Sequence, residues 1–270
     1  MDFSEIERRG LVMLGCGKMG SAMLAGWLAQ GLSPGSIAVL EPAPSDWLRD
    51  TGVSINAALP KRPAALLIAV KPQVMAAALP GAAQFGGGAT SVVSIAAGTA
   101  IATLESAFGT TTPIIRAMPN TPAAIGQGIT AMVGNAAAGA EALDLAEALL
   151  TAIGAVVRLD DEAQIDAVTG LSGSGPAYVF YLIETLAAAG VAEGLPPDLA
   201  VQLATATVAG AGALAAKSTE PAAELRGNVT SPGGTTAAGL AVLMDEAEGL
   251  SPLITRTVAA ATARARELRG

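Results

Sequence analysis

Histidine is absent from the 270 residues, and cysteine occurs once, at Cys16. The first absence excludes a Ser-His-Asp triad and any His-ligated zinc. The second excludes an intrachain disulfide and a Cys-based metal cluster. Aromatic residues are scarce too, at 3% of a chain that is 51% apolar. The apolar content is therefore mostly small side chains, which let helices approach one another and backbone approach a ligand. Basic residues are outnumbered, 15 against 23 acidic, for a net charge of -8. Nucleic acid and anionic membranes need a basic surface, so neither is an expected partner. Any bound phosphate must be held locally, by backbone N–H groups or one or two cationic side chains. No clustered carboxylate motif suggests a metal. The opening stretch MDFSEIERRG is charged and carries no apolar signal-like segment. The uncharged stretch from Pro72 to Leu104 is interrupted by Pro80 and Gly86-Gly87-Gly88, so it does not read as a membrane helix. A cytoplasmic protein is the expectation.

What is present is a regular alternation. Leu11 to Leu14 is a short apolar run that stops at a glycine cluster, which suits a buried strand. Lys18 to Gln30 reads as a helix, and Ile37 to Leu40 as the next strand. Further strands are expected at Ala65 to Val70, Ser91 to Ile95, Ile114-Ile115, Ile129 to Val133 and Ala155 to Leu159, with helices at Val74 to Leu79 and Ala140 to Leu150. Such alternation predicts an α/β fold, a mostly parallel sheet covered on both faces. After Leu159 strand-like segments cease. Ile165 to Ala189, Pro197 to Lys217, Ala237 to Glu248 and Pro252 to Leu268 all read as helices. The expected division is thus an N-terminal Rossmann-type dinucleotide-binding domain over residues 1–160 and an all-helical domain over 161–270.

Gly15-Cys16-Gly17-Lys18-Met19-Gly20 is a G-x-G-x-x-G sequence between the first strand and the first helix. Gly15 permits the tight turn, Gly17 lets backbone approach a pyrophosphate, and Gly20 allows close helix–strand packing. The helix start then offers N–H groups and a positive dipole end to the phosphates. Cys16 reads as a small loop residue and not a nucleophile, since no general base is near it in sequence. Glu41 ends the second strand. A carboxylate there accepts hydrogen bonds from the ribose hydroxyls of NAD and repels a 2'-phosphate, which leans toward NADH. The alternative is that Glu41 points into solvent beside Pro42 and decides nothing.

Four further segments narrow the chemistry. Ala69-Val70-Lys71-Pro72-Gln73 closes a strand at the edge where open sheets bind ligands. Arg116-Ala117-Met118-Pro119-Asn120-Thr121-Pro122 reads as a rigid loop. Gly170-Leu171-Ser172-Gly173-Ser174-Gly175-Pro176-Ala177-Tyr178 sets small residues in a long apolar helix, where Pro176 frees local hydrogen-bonding groups. Ser231-Pro232-Gly233-Gly234-Thr235-Thr236 leads into a helix, and its N–H and O–H donors make a compact anion site suited to a carboxylate. The plainer reading of this last segment is an inter-helix loop with a Thr cap.

In this order the segments resemble the pyrroline-5-carboxylate reductase family over nearly the whole chain. S-P-G-G-T-T and G-L-S-G-S-G-P-A-Y carry most of the likeness. The resemblance implies reduction of 1-pyrroline-5-carboxylate to L-proline, the last step of proline biosynthesis, by an oxidoreductase using NADPH, with NADH also possible. It implies that Gly15 to Gly20 hold the pyrophosphate, with Asn56 near the adenosine ribose or its 2'-phosphate, against the lean from Glu41. Ala69, Val70, Lys71, Pro72, Ala97 and Gly98 would line the nicotinamide side. Ser231, Gly233, Gly234, Thr235 and Thr236 would clasp the substrate carboxylate, with Thr236 beside the ring nitrogen as the catalytic group. Asn228 and Glu162 match more loosely placed substrate positions; Glu162 reads equally well as a solvated carboxylate at a helix start. The resemblance further implies a dimer through the C-terminal helices and a ring of five dimers. Two rivals remain at this point. A two-domain hydroxy-acid dehydrogenase shares the architecture but wants a resident base, and only Lys71 and Lys217 are worth considering for one. A non-catalytic regulatory cofactor-binding protein would have no use for the anion site.

Overall fold

The computed structural model describes residues 3–269. Its strands are β1 (Leu11–Leu14), β2 (Ile37–Leu40), β3 (Ser54–Ile55), β4 (Ala65–Ile68), β5 (Ser91–Ser94), β6 (Ile114–Met118), β7 (Gly128–Gly134) and β8 (Gly154–Arg158). The helices that accompany them are α1 (Ser4–Arg9), α2 (Lys18–Ala29), α3 (Asp46–Asp50), α4 (Pro72–Ala82), α5 (Ile101–Phe108), α6 (Ala140–Thr151) and α7 (Gln164–Val168). Then follow α8 (Gly175–Ala192), α9 (Pro197–Lys217), α10 (Ala222–Asn228), α11 (Thr235–Leu243) and α12 (Leu250–Arg269).

The strands form one sheet in the order β3-β2-β1-β4-β5-β6-β7-β8. All neighbours are parallel except β6 and β7, which run antiparallel. Strand order reverses between β1 and β4, and that switch point is where open α/β sheets bind ligands. Apolar runs such as Leu11–Leu14 serve both faces because the side chains alternate. Leu11 and Met13 join Met23, Leu24 and Trp27 of α2 in one core layer. Val12 and Leu14 join Met75 and Leu79 of α4 in the other. Trp27 donates from Nε1 to the Leu149 carbonyl at 2.8 Å, a buried tie between α2 and α6.

The compact units do not divide at residue 160. The first extends through Gly173 and takes in Thr262 onward, while the second comprises Ser174–Ala261. The strands do end near 160, but α7 continues on the first unit, with Ile165 buried in one of its core layers. The long helix expected over Ile165–Ala189 is likewise broken, because residues Thr169–Gly173 form a π-helical turn before α8. Pro176 stands in the first turn of α8, where a missing N–H costs nothing.

In the second unit α8 and α9 pack as a hairpin around small residues. A Cβ on Gly190 would lie 3.4 Å from that of Ala200, and Ala187, Ala200 and Ala204 are buried. Large apolar side chains of the same helices are exposed, among them Phe180 at 57%, Tyr181 at 67% and Leu214 at 58%. By length and composition Gln164–Ala192 and Pro197–Lys217 could each cross a membrane.

Candidate functional site

The register of β1 against both neighbours builds the site. Leu14 pairs with Leu40 on one side and Ile68 on the other, so Gly15, Glu41 and Ala69 emerge together at the carboxyl edge. Gly15 has φ +87°, and a Cβ on it would meet Val70 Cγ1 at 2.8 Å and the Ala69 carbonyl oxygen at 2.9 Å. Only glycine turns here. A Cβ on Gly20 would come within 2.7 Å of Met13 Cε and 3.1 Å of the Gly15 carbonyl oxygen, so this glycine brings α2 down onto β1. Gly17 is different: it N-caps α2, and a Cβ there would meet nothing within 4 Å. The space it faces is a cavity of about 680 Å³ lined by Gly15, Gly17, Glu41, Asn56, Ala69, Val70, Lys71 and neighbours.

Two helix starts adjoin this cavity, since Lys71 N-caps α4 and neither α2 nor α4 has a side-chain cap. The first N–H groups of α2 are available to an anion, whereas α4 begins with Pro72, which has no N–H, and its Val74 N–H bonds the Lys71 carbonyl at 3.1 Å. Lys18 is exposed at the first position of α2, while Met19 and Cys16 are half-buried and pack on the core. Burial, reinforced by the Glu41 carboxylate, pushes the Cys16 thiol up to about 11. A neutral thiol at physiological pH suits the expectation of a loop residue over a nucleophile.

Glu41 does not point into solvent. Its Oε2 accepts from the Cys16 N–H at 2.8 Å and its Oε1 from the Ala43 N–H at 3.1 Å. The carboxylate thus closes the glycine turn from within. Asn56 takes φ +51°, a left-handed conformation that asparagine tolerates. Its amide grips the backbone of Glu41, accepting from the N–H at 3.0 Å and donating to the carbonyl at 2.9 Å. Both residues line the cavity, and Asn56 acts there by fixing the end of β2.

Elsewhere in the first unit, Ala97 is exposed and Gly98 has φ +75° in the turn between β5 and α5. Glu162 is firmly engaged. Its Oε1 accepts from Arg116 Nη1 at 2.7 Å and from the Ile101 N–H at 2.8 Å, so it caps α5 while pairing with a buried guanidinium. The structure therefore departs from the expectation of a solvated carboxylate.

In the second unit Gly234 N-caps α11 without side-chain help, and Gly233 takes φ +70° to make the turn. Ser231, Gly233, Thr235 and Thr236 are exposed around that helix start. Asn228 donates from Nδ2 to Glu220 Oε2 at 2.8 Å.

A pyrroline-5-carboxylate reductase from Synechocystis is 42% identical over 268 residues, covering 96% of this chain and 97% of that one. The chain belongs to the pyrroline-5-carboxylate reductase family. The family's dimerisation profile, described as "Pyrroline-5-carboxylate reductase dimerisation", matches residues 162–268. A profile described as "NADP oxidoreductase coenzyme F420-dependent" matches residues 11–98. A solved pyrroline-5-carboxylate reductase from Coxiella burnetii superposes with a TM-score of 0.90 at 31% identity, over 97% of this chain and 99% of that one. A pyrroline carboxylate reductase from Plasmodium falciparum, solved with NADP bound, gives 0.82 at 27% identity, over 98% and 99%.

Within two of the motifs, residues to which the sequence assigns no site role join one segment to the other. Asn120 donates from Nδ2 to the Ser172 carbonyl at 3.1 Å and accepts from the Ile129 N–H at 3.0 Å. A Cβ on Gly173 would lie 2.7 Å from Met118 Cε. R-A-M-P-N-T-P is thus the seat of the π-helical turn, a type of distortion that recurs at functional sites. The polar Arg116 and Asn120 inside an apolar-flanked strand and loop were the available signal.

Proposed function

We propose that this chain reduces 1-pyrroline-5-carboxylate to L-proline with NADPH, and that NADH can also serve. The observation that carries the reading is the cavity at the switch point, where Gly17 leaves open the space that a side chain would fill. In a chain of this family, that space suits a dinucleotide pyrophosphate. Backbone N–H groups at the start of α2 hold the phosphates, Ala69 to Pro72 line the nicotinamide side, and Glu41 with Asn56 borders the adenosine ribose. The cofactor, when bound, supplies the hydride for the C=N carbon.

The protein's own contribution is orientation. Ser231, Gly233, Gly234 and Thr235 anchor the substrate carboxylate at the start of α11, and Thr236 places its hydroxyl at the ring nitrogen. A pyrroline that binds protonated is already electrophilic, which fits a chain with no histidine. The helical unit Ser174–Ala261 serves substrate binding and dimerisation, and dimers assemble into a ring of five in the cytoplasm.

The test is oxidation of NADPH and, separately, NADH with 1-pyrroline-5-carboxylate. Turnover is expected with both, and Thr236→Ala should lower kcat/KM by roughly 1–3 kcal/mol, the scale of one unmade buried hydrogen bond. Cofactor binding without turnover would overturn the reading.

A further inference from the structure

We propose that Leu268 and Arg269, at the end of α12, are positioning residues that hold the turn between β5 and α5 in shape for nicotinamide. This rests on the reading above that Ala97 and Gly98 line the nicotinamide side. Gly98 takes φ +75°, and the place of its missing Cβ lies 3.0 Å from the Leu268 carbonyl oxygen. The helix end therefore presses on bare backbone. The next residue is tethered: Arg269 Nη1 lies 3.2 Å from Asp166 Oδ2.

Asp166 is 2% exposed, and its other oxygen has no hydrogen-bond partner. Among the described residues its one ion pair is with Arg269. A buried carboxylate with a single counterion depends on that counterion for its place. The far end of the turn is held from the same support, because Glu162, one turn before Asp166 in the chain, caps the Ile101 N–H at 2.8 Å. Glu162 is itself fixed by buried Arg116. The turn thus has one anchor at its glycine and another at its exit, and both lead back to the 162–166 segment.

The glycine-rich turn grips the dinucleotide at its pyrophosphate, away from the nicotinamide ring, so displacing the β5–α5 turn should disturb hydride transfer more than cofactor affinity. Arg269→Ala is expected to lower kcat about tenfold, in line with the sensitivity of transfer to small displacements, with less than about a threefold change in NADPH Kd. Arg269→Lys should recover most of the rate. Asp166→Asn combined with Arg269→Ala should restore Tm without restoring kcat, which separates positioning from folding. Unchanged kcat in Arg269→Ala, or a kcat that returns with Tm in the double variant, would overturn the proposal. Emission of bound NADPH reports the nicotinamide's surroundings without turnover. A shift in Arg269→Ala supports the clamp even if the wild-type chain reduces no pyrroline-5-carboxylate, in which case only the substrate assignment fails. Wild-type emission in the variant refutes the clamp.

Discussion

The two units bury their apolar residues on opposite principles. The first closes on itself, with core layers on both faces of its sheet. The second carries the most apolar helices of the chain yet leaves Phe180, Tyr181, Leu203 and Leu214 exposed and buries chiefly alanine. A helix of this hydropathy needs a cover. Length and composition alone would allow a membrane, but the family's dimerisation profile spans this region, which makes a second copy of the chain the expected cover. High hydropathy in a sequence therefore reports how much surface is to be hidden, and not by what.

The sharpest way to break this contrast is to charge the second unit's open face. Phe180→Glu with Leu214→Glu should raise the dimer dissociation constant at least 100-fold, about 3 kcal/mol, because a carboxylate cannot be buried unpaired. Light scattering over a dilution series would show it; an unchanged dimer would mean that this face is not the interface. A smaller effect is expected within the first unit from two glycines of one motif. Gly15→Ala should cost about 2 kcal/mol of stability through its left-handed backbone and the Val70 contact, lowering Tm. Gly17→Val should leave Tm nearly unchanged while weakening NADPH binding about tenfold or more, because the side chain would occupy the space for phosphate. Equal effects from the two would refute the division of labour between them. The smallest effect concerns Cys16. Its thiol is raised to about 11, so alkylation should be slow at neutral pH and accelerate as pH climbs toward that value. The raised acid also favours the folded state below the ordinary thiol pKa, and that contribution is lost as pH rises through about 11. Rapid labelling at pH 7 would contradict this environment.

The parts that were legible in the sequence are those with local causes. β1 and β2 begin and end where expected because apolar runs stop at Gly15 and at Glu41-Pro42. The glycine turn was legible because each glycine answers a steric need within a few residues. α5 was missed for a physical reason: its N-cap residue, Ala100, has no side chain that could cap it, and the cap comes from Glu162, far along the chain. The antiparallel step between β6 and β7 leaves no mark in either strand's composition. β3 is only Ser54–Ile55 and exists by pairing with β2. The reach of Glu41 inward to Cys16 was equally hidden, since a strand-end carboxylate reads the same whichever way it turns.

The first unit is built from two stretches of chain, and the second stretch, from Thr262 on, arrives after the whole helical unit. Closing the contact between Gly98 and Leu268 spans most of the molecule, and the entropy of so long a loop is lost before the contact returns anything. The sheet and its neighbouring helices are therefore expected to assemble before the end of α12 docks, an order that pulsed hydrogen exchange would check.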